Sequence, residues 1–228
     1  MRVAEIYRSL QGEGLLTGAE SVFVRASGCN LRCWYCDTPF TSWSPEGEDL
    51  SVDEIASRIL AYDCQHVVLT GGEPMLFAEL IPLAATLRAA GRHITIETAG
   101  TLYLPVACDL MSISPKLANS TPSEEQAGVW RARHERVRHA PAVIRRLVDE
   151  YAYQFKFVVD SAADVEDVER YLDEFPEIAR SKVMLMPQGT DTEALAEQGE
   201  WLEPLCEKRG FGFCPRKHIE WFGFTRGT

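Results

Sequence analysis

At 228 residues, with 46% hydrophobic and 25% charged residues, the chain has the composition of a conventional folded domain with a sizeable core, which excludes disordered, collagen-like and membrane-embedded classes. The formal charge of −11 argues against broad affinity for nucleic acid, because backbone phosphate is bound by Lys and Arg that displace counterions. The start MRVAEIYRSL carries early charges and the apolar stretch at 80–90 is broken by Arg88, so no export or membrane signal is visible; the expected location is cytoplasmic, and the seven cysteines read as reduced thiols or metal ligands.

In chain order, the run Tyr7 to Gly14 is too polar for a core strand, and its two glycines suit backbone that approaches a ligand closely. Short apolar runs rich in branched residues predict strands at 21–25, 66–69, 93–98, 110–114, 155–159 and 182–186. Helical periodicity predicts helices at 52–62 behind the capping box Ser51-x-x-Glu54, at 80–90 closed by Gly91, and at 142–150, 163–174 and 192–209. Two regions fit neither pattern. Residues 29–49 lack helical periodicity, and 117–140 is polar, basic and irregular, which reads as an insertion or mobile segment.

Strands alternating with helices of this length imply parallel pairing through right-handed crossovers. A complete eight-unit barrel takes about 250 residues, so six units predict an α/β fold of the incomplete, TIM-like barrel type, with about six parallel strands, helices outside and a single domain over 1–228. Unusual residues follow the strands: Thr70-Gly71-Gly72-Glu73-Pro74, Glu97-Thr98, Ser114-Pro115-Lys116 and Pro187-Gln188-Gly189. Ligands of parallel α/β folds bind beyond the carboxyl ends of strands, so one shared mouth is expected to collect all four.

The segment GCNLRCWYCDT packs Cys29, Cys33 and Cys36 into a Cys-x3-Cys-x2-Cys spacing that can turn three sulfurs toward one centre. Thiolates suit zinc or iron-sulfur clusters. A structural zinc site wants four protein ligands, and Cys64, Cys108, Cys206 and Cys214 have no partners at two-residue spacing. A zinc-binding structural module would need one of them delivered by the fold. A 4Fe-4S cluster held by three cysteines instead leaves one iron open.

The cysteine motif, with Tyr35 before its last cysteine, resembles that of the radical S-adenosylmethionine enzymes, and Gly71-Gly72-Glu73-Pro74 resembles their second motif. The resemblance implies a 4Fe-4S cluster on Cys29, Cys33 and Cys36, with S-adenosyl-L-methionine on the open iron. With Ser9-Leu10-Gln11-Gly12-Glu13-Gly14 ahead of it, the chain is similar over nearly its whole length to the 7-carboxy-7-deazaguanine synthase family of queuosine and 7-deazapurine biosynthesis. That similarity implies radical ring contraction of a small-molecule substrate, 6-carboxy-5,6,7,8-tetrahydropterin, with loss of ammonia, in a homodimer served by a flavodoxin or ferredoxin-type reductant, without nucleic acid or membrane partners. A glycyl-radical-enzyme activase shares the cluster motif and is the other radical enzyme to consider.

Carried over position by position, the resemblance assigns Leu10, Gln11, Gly12, Glu13, Thr70 and His218 to the pterin and Arg25 to its carboxylate, a fit for the planar guanidinium fork. It assigns Thr38 to magnesium (Mg2+), although ligand chemistry alone would choose Asp37. Gly72, Glu73, Ser114, Pro115, Lys116 and Gln188 are assigned to S-adenosylmethionine, and Glu97 and His218 to catalysis, Glu97 through proton handling. Glu97-Thr98-Ala99-Gly100 departs from the family's Glu-Thr-Asn-Gly at Ala99, an effect expected to stay within the turn.

Overall fold

The computed structural model describes residues 1–228. Its strands are β1 (Arg2–Leu10), β2 (Glu20–Ala26), β3 (Glu48–Asp49), β4 (His66–Gly71), β5 (His93–Thr98), β6 (Leu110–Ile113), β7 (Tyr153–Val159), β8 (Val183–Pro187) and β9 (Gly212–Phe213). They form one sheet in the order β3-β1-β2-β4-β5-β6-β7-β8-β9. From β2 to β9 each neighbouring pair is parallel, whereas β1 runs antiparallel to both β2 and β3. Since β3 and β9 are free edges, the sheet is open, as expected of an incomplete barrel.

The six predicted strands are β2, β4, β5, β6, β7 and β8, and the five predicted helices are α2 (Val52–Leu60), α3 (Leu80–Ala89), α6 (Pro141–Glu150), α7 (Ala162–Glu174) and α8 (Thr192–Arg209). Shorter helices are α1 (Pro39–Ser42), α4 (Glu124–Ala127), α5 (Val129–Val137) and α9 (Lys217–Phe222). The capping box before α2 forms as predicted, with Ser51 and Glu54 satisfying each other's backbone N–H groups. The alternation fails once, because 99–109 joins β5 to β6 without a helix.

The structure corrects the reading of the N-terminal run. Tyr7 to Leu10 belong to β1, which is held by a long ladder to β2, from Val3↔Ala26 to Leu10↔Glu20, while most of its side chains stay partly exposed. Polarity signals the lack of burial, not the absence of a strand. β2 is accordingly an interior strand between β1 and β4.

Each parallel strand has two unlike faces, as a period of two requires. On β7, Phe155, Phe157 and Val159 are fully buried, in the same core as Val165, Val168 and Phe175 of the α7 region, and the ring of Tyr171 meets that of Phe157 edge-on. Each buried Phe contributes about 1.5–3 kcal/mol by leaving water. Gln154, Lys156 and Val158 alternate with them and project to the opposite, concave side.

The segment 117–140 is also more ordered than its polarity implies, for it contains α4 and α5. His134 is its anchor, with no exposed surface. The Arg32 backbone N–H donates to His134 Nδ1 at 3.1 Å, so Nε2 carries the ring proton and faces Ser120 Oγ at 3.0 Å. Burial pushes the His134 pKa down to about 4, which keeps the ring neutral. Trp34 reinforces the seam by donating its indole N–H to the Asn119 carbonyl at 2.7 Å. One buried imidazole in an otherwise polar helix leaves almost no periodic signal in the sequence.

Candidate active site

The concave side of the sheet opens into a cavity of about 500 Å³, within the range that small-molecule sites occupy. Every residue assigned above to a ligand, metal or catalytic role lines it, except Glu73 and Pro115.

At one end lie Cys29, Cys33 and Cys36, all unbridged, on the loop after β2. Burial pushes the Cys29 and Cys33 thiols up to about 12, so both stay protonated unless a positive centre draws them into ligation. The Leu31 backbone N–H donates to Cys29 Sγ at 3.4 Å, and Ser42 Oγ lies 3.1 Å from Cys36 Sγ. Three thiols on one loop, turned into one cavity and supplied with donors to sulfur, fit a 4Fe-4S cluster.

The glycine pair Gly71-Gly72 at the end of β4 lets that strand end press against the cysteine loop. A Cβ on Gly72 would stand 2.2 Å from the Gly28 carbonyl oxygen, so only glycine fits. The Glu73 N–H closes the contact by donating to the same Gly28 oxygen at 2.9 Å. The Glu73 side chain turns away into full burial, where it accepts from Thr98 Oγ1 at 2.8 Å, the Ala99 N–H at 2.9 Å and the Met75 N–H at 3.1 Å. Burial raises its pKa despite these donors. Glu73 therefore ties the ends of β4 and β5 together rather than facing the cavity, and Ala99 enters this tie through its backbone alone.

The floor carries a charge network that spans the chain. Lys156, 3% exposed, places Nζ 2.8 Å from Glu13 Oε2 and 3.1 Å from Glu97 Oε1. Thr70 Oγ1 donates to Glu97 at 2.8 Å, and Gln11 Nε2 at 3.4 Å. Arg216 reaches Glu13 at 3.4 Å, forms an ion pair with Asp37 and donates to the Gly189 carbonyl at 2.5 Å. Burial alone would raise the Glu13 pKa; Lys156 and Arg216 overcome it and hold the carboxyl below its usual range. Burial alone would likewise lower the Lys156 pKa, and Glu13 and Glu97 reverse that. His218 is pushed down by burial, so its imidazole is neutral near pH 7 although Nδ1 stands 4.0 Å from Glu13.

Asp37 is committed to Arg216, and the Thr38 hydroxyl at this end of the cavity accepts from Thr41 Oγ1 at 3.3 Å. Arg25 lies across the cavity with Nε 2.6 Å from Glu5 and NH2 2.7 Å from the Tyr7 hydroxyl. Lys116 folds back on its own tripeptide, with Nζ 2.7 Å from both Ser114 O and Oγ. Gly12 abuts His218 so closely that a Cβ would meet Nδ1 at 2.4 Å, and a Cβ on Gly14 would meet Gln154 at the same distance. The close approach expected of these glycines is thus to the chain's own residues.

Lys156 and Arg216 enter the site without having been singled out in the sequence, Gln154 supports it by bonding Ser112 and the Leu15 N–H, and Asp37, the magnesium choice of chemistry alone, enters instead as the partner of Arg216. A signal for Lys156 was there, since a cation inside the apolar run Phe155-Lys156-Phe157 repeats the pattern of Arg25 after Phe23-Val24. Arg216 carries no such signal, because it lies in an irregular segment before α9.

An open parallel barrel with a three-cysteine loop at its mouth and a glycine pair behind it defines a radical S-adenosylmethionine protein, and residues 23–119 match the Radical SAM superfamily model. The chain belongs to the 7-carboxy-7-deazaguanine synthase family. It is 45% identical to the 7-carboxy-7-deazaguanine synthase of Rhodopirellula baltica over 99% of this chain and 88% of the relative, and 43% identical to that of Halobacterium salinarum over 95% and 88%. The crystal structure of QueE from Escherichia coli superposes with a TM-score of 0.68 at 25% identity, covering 94% of this chain and 92% of the other. Streptococcus suis SuiB bound to S-adenosylmethionine shares the fold alone, at a TM-score of 0.56 and 16% identity over 83% of this chain and 48% of the other.

Proposed function

We propose that this chain catalyses its family's reaction, the radical ring contraction of 6-carboxy-5,6,7,8-tetrahydropterin to 7-carboxy-7-deazaguanine with loss of ammonia, as a carbon-nitrogen lyase. The observation that carries this reading is the single cavity that joins the three-cysteine loop to a polar floor built from Gln11, Glu13, Arg25, Thr70 and Glu97. Full-length similarity to the synthases supports the same substrate.

Cys29, Cys33 and Cys36 would hold the cluster, which with S-adenosylmethionine supplies the one-electron cleavage that starts the reaction. The remaining work falls to the protein's own groups. The backbone at Gly72, the Ser114-Pro115-Lys116 turn and Gln188 would cradle S-adenosylmethionine. Glu73 acts from behind, by fixing the strand ends on which that cradle is built. Gln11, Glu13 and Thr70 would grip the pterin ring, and Arg25 its carboxylate, exchanging part of its hold on Glu5. Thr38 would contribute a hydroxyl oxygen to magnesium beside the substrate. Glu97, held by Lys156 and Thr70, and the neutral imidazole of His218 would move protons at the pterin.

The family reading further assigns a homodimer, a cytoplasmic setting and a flavodoxin or ferredoxin-type reductant. No helix is long and apolar enough to cross a membrane. Anaerobic incubation of the reconstituted protein with the pterin, S-adenosylmethionine, dithionite and magnesium tests the proposal. Deazaguanine product is expected without any partner protein. Cleavage of S-adenosylmethionine that leaves the pterin untouched would overturn it, and colourless protein with one equivalent of zinc would overturn the cluster as well.

A further inference from the structure

The arginine-rich helix α5 has no part in the site described above, yet it is bonded directly to the cysteine loop. The Arg32 N–H that reaches His134 belongs to the residue before Cys33, and Trp34, the residue after Cys33, is bonded to Asn119 and Ser120. The two neighbours of a cluster cysteine are thus both tied to the segment that carries α5, Arg32 buried with its guanidinium on the Cys29 and Leu31 carbonyls and Trp34 46% exposed.

The charge at this place is unusual for the molecule. In a chain with 34 acidic and 23 basic residues, arginines find carboxylates easily. The arginines without one are Arg2, Arg92 and the four gathered here, Arg32, Arg131, Arg133 and Arg136. Arg32 and Arg133 both sit over the Trp130 ring, at 3.9 and 4.6 Å from its centroid. Two like charges held against one indole gain cation–π attraction but repel each other, and the surplus of acid elsewhere does nothing to relieve them. Val129, Arg133 and Arg136 follow at i, i+4 and i+7 on one exposed helical face, with Val129 87% exposed.

We propose that Arg133 and Arg136, with Trp130, Val129 and Trp34, form the docking surface for an acidic one-electron carrier protein that reduces the centre held by the cysteine loop. This rests on the radical reading of the site under Proposed function. The occupant follows from charge complementarity and position: the patch is positive on a negative protein, and Trp130 and His134 join its helix to Arg32, the residue before Cys33. Electron-transfer encounters are small and steered by charge, so a few unpaired arginines around two indoles suffice. RNA is the other polyanion such a helix would attract, and the overall charge of −11 disfavours it.

The test uses the reconstituted enzyme, a flavodoxin as the acidic carrier, and the double variant Arg133→Glu/Arg136→Glu, with Arg2→Glu/Lys208→Glu as a control that changes net charge equally elsewhere. Calorimetry with oxidised flavodoxin and stopped-flow bleaching of the cluster by the reduced form are read at two salt concentrations. The α5 variant is expected to bind at least tenfold more weakly, to be reduced at least tenfold more slowly and to lose most of its salt dependence. The control should match the parent, and dithionite-driven turnover should be unchanged in all three proteins. Flavodoxin binding and salt dependence equal to the parent's in the α5 variant would overturn the proposal. So would loss of transfer-RNA binding in that variant with flavodoxin binding retained. If the parent turns over no pterin with dithionite, the proposed function fails, while the binding measurement still decides the docking surface.

Discussion

The two faces of β7 set the problem that the whole sheet solves. Outward, Phe155, Phe157 and Val159 have no exposed surface and pack in an apolar core; inward, Gln154 and Lys156 are nearly as inaccessible but serve a polar network. The outer face gains its stability from area removed from water and is indifferent to which partner supplies it. The inner face removes charges from bulk water and recovers that cost only through particular partners, Glu13 and Glu97 for Lys156, and Ser112 and the Leu15 N–H for Gln154. Burial thus means different things 3.3 Å apart along one strand: tolerance on one side, specificity on the other.

The largest effect belongs at the mouth of the inner side. Cys33→Ala should abolish turnover and the brown charge-transfer absorption together while leaving the circular dichroism spectrum unchanged; iron analysis and dithionite-driven assays check this. Next, Lys156→Met leaves Glu13 and Glu97 facing each other without their shared cation, and turnover should fall by about a hundredfold or more. Lys156→Arg should recover part of it, since a cation remains. On the outer face the pattern should invert. Phe157→Ala should cost about 3–5 kcal/mol of unfolding free energy with turnover per folded molecule nearly unchanged. If Lys156→Met instead proves mainly a stability variant and Phe157→Ala mainly a kinetic one, the division between the faces is wrong.

The smallest effect sharpens the comparison outside the sheet. His134 is buried neutral, with its pKa pushed down from near 6.5 to about 4. The unfolded chain then binds the extra proton first, so stability is full above pH 6.5 and declines as pH falls toward 4. His134→Gln, which cannot charge, should flatten this part of the melting temperature against pH, at some constant cost in stability. An unaltered slope would show that other groups carry the acid sensitivity.

The outer face was the legible one. Apolar runs such as HVVL and KVMLM announce strands because their burial is generic, and all six strands so read are present. The cysteine triplet was equally plain, since its spacing is local. The inner network was not, because its pairs join residues as far apart as Glu13 and Arg216, and no spacing rule reaches across 203 positions. β1 escaped because it is held by a backbone ladder, and α5 because a single buried histidine anchors it. Glu73 misleads for another reason: motif resemblance places the peptide at the cofactor, whereas in the fold its backbone meets the cysteine loop and its side chain turns the other way to hold β5.

The contact of Gly12 with His218 bears on the order in which the molecule is made. The Lys217 N–H donates to the Gly12 carbonyl at 3.0 Å, and the Gly14 N–H to Cys214 Sγ at 3.1 Å, so one wall of the chamber is a seam between the first strand's exit and residues 214–218. The cysteine loop and its neighbouring strands are synthesised long before that seam can close. Until residues 214–218 come back to the first strand's exit, that wall of the chamber is missing and the vessel stays half-built.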